Sequence, residues 1–488
     1  MTMTIDKLFY AFSVNEAMSI FVAPVRASAV GAPADDAYGS RAQSVFGAPI
    51  RDKTTADTLR AISTYTGDRP PHGGWNAFLN DLDLHVIGNR NTLPDGSWEQ
   101  HSHLFDKNNL AWDTRRTGYN IALAHAPSGV TYTIQRSAGE PGTFGAVWYF
   151  EPSSSVLGMP LRLAVKFFRD SSSIGTIEEV ERIQRIRAVD TARLSALPTR
   201  QRDAARREAG GDEPKPDRVF ARILYDPKGV PCVVMPCMSC ILPHKGGFHV
   251  DVAMNIVRAV FTDLEHMYER YGLLACDLKS ANVLVDVRPE RVRVRLADYG
   301  GYADPGSDIR STFPAPWALK VRIKPYTDRN GNFQVQKSMF SIMDEEACVY
   351  QLAALLIELV NGVNGTSPLR VNMSYIFASY LTDQVQADGT VNVKDTINFW
   401  KYVMASPVWT PDAKLFLEYA VRYHQTSPVY PKGFDSSAPK TLAGLRAVLF
   451  PPGTLDPNAP EVIDLMADDD EENDVAQGTK RARPASRA

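Results

Sequence analysis

Cys276-Asp277-Leu278-Lys279-Ser280-Ala281-Asn282-Val283-Leu284-Val285 is the stretch on which the reading of this chain turns. A carboxylate, an ammonium and an amide at the spacing D-x-K-x-x-N run into apolar residues that read as a strand. Asp277 can orient or deprotonate a hydroxyl, Lys279 can offset charge on a moving phosphoryl group, and the Asn282 amide oxygen can ligate Mg²⁺. Downstream comes Leu296-Ala297-Asp298-Tyr299-Gly300. The residues between, VLVDVRPERVRVRLAD, read as a hairpin that returns Asp298 to Asn282. Two oxygen ligands brought together suit Mg²⁺, which takes few protein ligands and completes its shell with phosphates and water.

Working upstream, Leu163-Ala164-Val165-Lys166-Phe167-Phe168 sets one lysine in an apolar strand. Such a lysine buries its stem and needs an anionic partner to stay charged. Ile174 to Val189 reads as a helix, with Val180, Ile183 and Ile186 recurring among Glu and Arg. Glu178, Glu179 and Glu181 are the candidate partners, and Glu179 lies beside the helix's buried stripe. Further back, Gly139-Glu-Pro-Gly142-Thr-Phe144-Gly145-Ala-Val147 joins two expected strands. Glycines there let backbone amides approach phosphates. Taken singly, the glycine stretch is equally a β-turn and Lys166 equally an edge-strand lysine. Four signals in one order carry the argument.

In that order the sequence resembles the protein kinase superfamily, from roughly Thr131 to Leu449. GTFGAV is similar to its Gly-rich loop, LAVK to its third-strand lysine, CDLKSANVLV to its catalytic loop and ADYG to its metal-binding D-F-G. The resemblance is to divergent eukaryotic-type Ser/Thr protein kinases, of the kind that large DNA viruses carry. It implies an α+β, two-lobed protein-kinase-like fold: a small antiparallel β lobe with one main helix, and a larger, mainly helical lobe. ATP and Mg²⁺ are the implied cofactors. The implied catalytic residues are Asp277, Lys279, Lys166 and Glu179, and the metal ligands Asn282 and Asp298. Gly139, Gly142, Phe144, Gly145, Val147, Ala164, Lys166, Met235, Pro236, Met238 and Leu284 would surround the nucleotide, with Met235 at the back of the adenine pocket. Lysine two residues after the loop aspartate is the Ser/Thr-type pattern. Lys279 and Gly300 favour a protein substrate over a small molecule of the aminoglycoside-phosphotransferase type.

The departures are specific. Ala275-Cys276 stands where the family has His-Arg, so the arginine that receives an activation-loop phosphate is missing. Activity is therefore expected not to require phosphorylation at Ser307, Ser311 or Thr312. Cys348 replaces an aspartate of the central large-lobe helix, and Trp317 follows Pro316 where the family has Glu. Tyr326 to Phe333 reads as part of an inserted hairpin with an Asn330-Gly331 turn. The alternative reading is a pseudokinase that binds nucleotide without transferring phosphate and acts as a scaffold.

The resemblance divides the chain into an N-terminal extension of unknown role (1–125), a small lobe (126–238) with a charged, flexible insertion at 190–217, a large lobe (239–452) and a tail (453–488). Helices are expected at Val250–Tyr271, Ala347–Val360, Asp395–Met404 and Pro411–Tyr423. The 488 residues have 44% hydrophobic and 22% charged residues, which excludes wholesale disorder. A net charge of −3 gives no global reason to expect a nucleic-acid partner. Five sparse cysteines do not make a disulfide framework, which places the protein in a reducing, intracellular setting. Gln351 and Glu358 break the most apolar stretch, so no membrane span is expected. Protein substrates and oligomeric state are left open.

The tail is acidic and then basic, ending in a Lys480-Arg481-Ala482-Arg483 cluster that reads as a nuclear import signal or as chance. Residues 470–488 fused to a reporter separate the two: nuclear accumulation supports import, and a reporter that stays in the cytoplasm rejects it.

Overall fold

The strands around Lys166 belong to a seven-stranded antiparallel sheet, two of whose strands come from before residue 126. A computed structural model describes residues 48–63, 84–87, 121–137, 145–156, 159–168, 172–196, 221–226, 229–238, 240–242, 247–287, 292–316, 319–327, 330–362, 369–386, 391–421, 424–427, 430–435 and 440–451. Strand β1 (Ala48–Ile50) and helix α1 (Lys53–Ile62) come first. The large sheet holds β2 (Leu84–Ile87), β3 (Ala122–His125), β4 (Val130–Ser137), β5 (Gly145–Pro152), β6 (Leu163–Phe168), β7 (Arg222–Tyr225) and β8 (Pro231–Pro236). Its order is β2-β3-β4-β5-β6-β8-β7, and helix α2 (Ile174–Ala196) lies between β6 and β7 in sequence.

Side chains alternate across each strand. On β5, Ala146, Trp148 and Phe150 are buried while Val147 and Tyr149 are half-buried. On β6, Leu163, Val165 and Phe167 point the same way as the buried β5 set. Together with Leu84, Val86, Leu123, Tyr132 and Ile134 they fill one core cluster drawn from all seven strands. The Tyr132 hydroxyl, deep in that cluster, donates to the Pro160 carbonyl at 3.0 Å. Edge strands β2 and β7 come close to one another without sharing a ladder, so the sheet curls toward closure around this core. The opposite face carries Lys166. The register sets Val147, Lys166, Val233 and Ile223 side by side across four strands.

After β8 come β9 (Cys240–Ile241), α3 (Val250–Tyr271), β10 (Leu274–Ala275), β11 (Val283–Val287), β12 (Val292–Leu296), β13 (Tyr302–Ala303) and β14 (Asp308–Ile309). The long hairpin β15 (Leu319–Thr327) and β16 (Phe333–Ile342) leads into α4 (Glu345–Asn361). Helices α5 (Ala378–Asp383), α6 (Lys394–Ala405) and α7 (Pro411–Ala420), strands β17 (His424–Ser427) and β18 (Tyr430–Asp435), and helix α8 (Leu442–Leu449) complete the chain. The β11–β12 hairpin anticipated between Asn282 and Asp298 is present, with Val283 opposite Leu296. It sits in a four-stranded sheet of order β1-β12-β11-β9, so residues 48–50 pair with the site-bearing hairpin. Asp52 caps α1, accepting from Thr55 N at 2.7 Å, and the Asn255 amide of α3 donates to the Thr55 hydroxyl at 3.1 Å.

The two-lobed, protein-kinase-like arrangement expected from the sequence is corrected by this architecture. Residues 41–488 cluster as one compact unit. In place of a small antiparallel lobe there is a large, nearly closed seven-stranded sheet, and strands β9 to β18 are interleaved with the helices of a region expected to be mainly helical. The physical reason is the inward row of large side chains. Trp148, Phe150, Tyr132 and Phe167 need cover that β4, β5, β6, β7 and β8 alone do not give, and β2 with β3 supply it. Helix α2 also runs past the expected end at Val189 to Ala196. No helix among the described residues is long and apolar enough to cross a membrane.

Leu123, fully buried on β3, tests whether the early strands share the cooperative core. Leu123→Ala is expected to cost about 2–5 kcal/mol in urea unfolding, as for other core leucines. A loss under about 1 kcal/mol, the range of surface changes, would detach β2 and β3 from that core.

Candidate functional site

Three separate pieces of chain converge on the Lys166 ammonium. Lys166 projects from β6 and donates to Glu179 of α2 at 2.9 and 2.7 Å and to Asp298 Oδ1 at 2.8 Å. Glu179 is buried on the helix face that also carries Ile183 and Ile186, as the apolar spacing predicts. Burial alone would strip the lysine of its proton, but the carboxylates of Asp298 and Glu179 more than reverse that and hold it firmly charged. The two carboxylates then share one cation unequally. Burial pushes Glu179 up to about 7, with the Lys166 charge pulling the other way. At Asp298 burial is again the largest influence, yet Lys166 outweighs it and keeps that carboxyl below its ordinary range. Asp298 is thus the member of the pair that stays ionised.

The backbone around Asp298 is shaped for this contact. Asp298 has φ 66°, a left-handed conformation that a non-glycine residue adopts at a cost of roughly 1–3 kcal/mol. A Cβ at Gly300 would lie 3.0 Å from Glu179 Oε2 and 3.3 Å from Asp298 Oδ1, so the glycine keeps room for both acids. Arg182, one turn along α2 from Glu179, donates to the Gly300 carbonyl at 2.8 Å.

Asp277 lies in a second cluster. The Lys279 ammonium donates to Asp277 Oδ2 at 2.6 Å, and the Thr312 hydroxyl donates to Asp277 Oδ1 at 2.6 Å. The Thr312 amide reaches the same oxygen at 3.2 Å. Asn282 Nδ2 donates to the Asp277 carbonyl at 2.8 Å and stands 3.3 Å from Oδ2. Both neighbours are acceptors, so the NH₂ end of the amide must face them and its oxygen turns away. Ala297 N donates to the Asn282 carbonyl at 2.7 Å, which joins Asn282 to the residue beside Asp298. An amide oxygen and an ionised carboxylate on adjacent pieces of backbone fit a hard, oxygen-seeking cation such as Mg²⁺.

Helix α4 supports this stretch from behind. Gln351 Oε1 accepts from Leu278 N at 3.1 Å, Glu358 Oε2 accepts from Ser280 N at 2.6 Å, and Cys348 Sγ donates to the Ala275 carbonyl at 3.3 Å. Cys348 thus fixes the backbone just before Cys276 and Asp277. Burial raises the Cys276 thiol to about 12, with the Asp277 charge acting in the same direction, which makes it an unreactive space-filler.

Of the residues expected around a nucleotide, Val147, Ala164, Lys166, Met235 and Pro236 lie on neighbouring strands: Val147 is opposite Lys166, Ala164 opposite Met235, and Leu163 opposite Pro236. Leu284 is opposite Ile241 on β9, and Met238 lies between β8 and β9. Gly145 is required by packing whatever binds nearby, because a Cβ there would collide with the Phe167 carbonyl. Gly139, Gly142 and Phe144 lie outside the described residues, as does the 480–483 cluster.

Thr312 figured in the sequence reading only as a possible phosphorylation position, and Arg182, Gln351 and Glu358 had no functional role there. Gln351 and Glu358 carried a signal, two polar side chains seven residues apart in an apolar helix, and therefore on one face. Thr312 carried none. Its hydroxyl donates to Asp277, so a substitution at Thr312 would remove that contact as well as a phosphorylation position. No family model matches the chain, and no curated protein matches it.

The charge balance at Lys166 has a measurable consequence. In the wild type, Asp298 contributes stability above its ordinary pKa of 3.8 that is lost as pH falls, whereas the Glu179 contribution is present below 4.5 and is lost as pH rises toward 7. Lys166→Met leaves both acids buried without their cation and raises both, so the variant loses stability as pH rises. Urea unfolding is expected to show a larger deficit at pH 8 than at pH 5, of about 3–5 kcal/mol at the higher pH. An equal deficit at both would mean the acids are not charged in the fold.

Proposed function

We propose that the chain transfers the γ-phosphoryl group of Mg·ATP to serine or threonine hydroxyls of proteins. One observation supports this above the rest: Asp277, held by Thr312, Lys279 and Asn282, is joined through the Asn282–Ala297 backbone bond to the residue beside Asp298, which Lys166, itself paired with Glu179, holds in turn. Phosphoryl transfer needs little covalent chemistry from the protein; it needs positioning and charge. Asp277 would orient the attacking hydroxyl and take its proton as the oxygen bonds to phosphorus and the bond to the β-phosphate oxygen breaks, releasing ADP. Lys279 would offset charge on the transferring group, and Lys166 would face the phosphates of the nucleotide. Asn282 and Asp298 would hold Mg²⁺, which when bound neutralises phosphate charge.

Labelled Mg·ATP with generic basic and acidic protein substrates tests the proposal. Wild type is expected to label serine and threonine, with Lys166→Met, Asp277→Asn and Asp298→Ala at background, since a lost base typically costs about 10²–10⁴ in rate. Wild type equal to the three variants across substrates and metals would reject it. A finer variant addresses the Asp277 clamp: Thr312→Ala is expected to lose at least about tenfold in kcat, while Thr312→Ser, which keeps the hydroxyl, retains most of it.

A further inference from the structure

The residues that follow Asp298 reach Thr312 along a path fixed by a hairpin. Gly306 N donates to the Met343 carbonyl at 2.7 Å, and Met343 N donates to the Ser307 carbonyl at 2.9 Å. Beyond that, β14 pairs with β16, Asp308 opposite Ile342 and Ile309 opposite Ser341. Arg310 places its guanidinium over the Phe340 ring at 5.4 Å. Ala378 N then donates to the Thr312 carbonyl at 3.0 Å, and Phe313 stacks on Phe377 with ring centroids 5.1 Å apart. The stretch from Gly306 to Phe313 is thus held along its length, and Ile309, Phe313 and Met343 are buried.

Strand β16 has a firm base. It continues through Met343 into α4, whose N-cap Asp344 accepts from Ala347 N at 2.6 Å. Its other edge is zipped to β15 over the full run from Leu319–Ser341 to Thr327–Phe333. Gly331 has φ 81°, which the reversal between the strands uses at no steric cost.

The hydroxyls along this path are already employed. Ser307 Oγ donates to the Asp304 carbonyl at 2.5 Å, Ser311 is buried with its Oγ accepting from Phe313 N at 3.2 Å, and Thr312 holds Asp277. A phosphate on any of them would break a contact that positions the segment. The ion pair between Arg185 of α2 and Asp304, at 2.6 Å, is largely exposed and therefore weak and salt-screened. The backbone ladder is the dominant restraint.

We infer that the β15–β16 hairpin is a built-in brace: by pairing with β14 it holds residues 306–313, and through Thr312 it orients Asp277 without any phosphorylation of the segment. The catalytic part of the inference rests on the transferase reading above. Ile309 is a positioning residue here. It lies opposite Ser341, two residues on from the Met343–Ser307 bond, where alternation in an antiparallel ladder puts a bonded amide.

The test uses the full chain treated with phosphatase, with hydrogen exchange and kinetics measured on the same samples. The amides of 306–313 are expected to be protected in the wild type and full activity retained. Ile309→Pro removes the ladder donor; it should lose that protection and at least tenfold in kcat with the KM for Mg·ATP unchanged, while Ile309→Val keeps both. Should the proline variant fail to fold, Arg310→Ala gives a milder reading: exchange across 306–313 about two- to fivefold faster, the cation–π contribution converted. Inactivity after phosphatase treatment, unprotected wild-type amides, or a proline variant with normal kcat would each overturn the brace. If the wild type transfers no phosphate at all, the transferase reading falls, and the exchange data alone then decide whether the hairpin holds the segment.

Discussion

The Lys166 ammonium is surrounded by two acids from distant parts of the chain, and the site takes its form from that imbalance. A lysine in an apolar strand cannot stay charged alone, and a glutamate on the buried face of α2 cannot stay charged alone. Each supplies what the other lacks, and Asp298 adds a second anion. Asp298, the acid that stays ionised, lies beside Ala297, whose amide binds the Asn282 carbonyl. The Lys166–Glu179 contact fixes where α2 lies against the β6 face of the sheet, and Arg182 repeats the attachment one turn on by binding the Gly300 carbonyl. The left-handed backbone at Asp298 persists because Lys166 and the bond from Gly301 N to the Asp298 carbonyl at 2.8 Å over-determine it.

Behind residues 275–282, α4 places polar side chains where an apolar helix would pack more simply. Leu278 and Ser280 present backbone amides toward that helix, and a buried amide without an acceptor costs more than the net worth of an ordinary hydrogen bond. Gln351 and Glu358 supply the acceptors. Their presence makes α4 a template for the loop's conformation as well as a piece of core, and connects the long hairpin, the helix and the Asp277 loop in one continuous support.

Much of the site could be read from the sequence because its chemistry is concentrated in short blocks. The pairing of Lys166 with Glu179 followed from the Ile183 and Ile186 spacing, and the hairpin that brings Asn282 beside Ala297, next to Asp298, followed from the two Val-rich strands Val283–Val287 and Val292–Leu296. The architecture could not be read in the same way. β2 and β3 are four residues each, and Ala122-Leu-Ala-His has little of the β-branched character that marks a strand. Only the aromatic row inside the curled sheet explains why those residues pair there, and that row becomes visible when seven strands are assembled. The two-lobed expectation failed at this point. The contact of Thr312 with Asp277 escaped notice for a related reason: it spans distant parts of the sequence and depends on the path that the hairpin imposes.

The pairing of Ala48–Ile50 with β12 has a consequence for how much of the chain the Asn282–Asp298 hairpin needs. Strand β12 is buried along its whole length and lies between β1 and β11. A shortened chain beginning after residue 125 would bare the outer edge of Val292-Arg293-Val294, which β1 covers, and would remove β2 and β3 from the curled sheet as well. Edges of that kind recruit strands from other molecules. Such a fragment would keep every residue of the site and still tend to self-associate, because segments far earlier in the chain cover both its sheet edges.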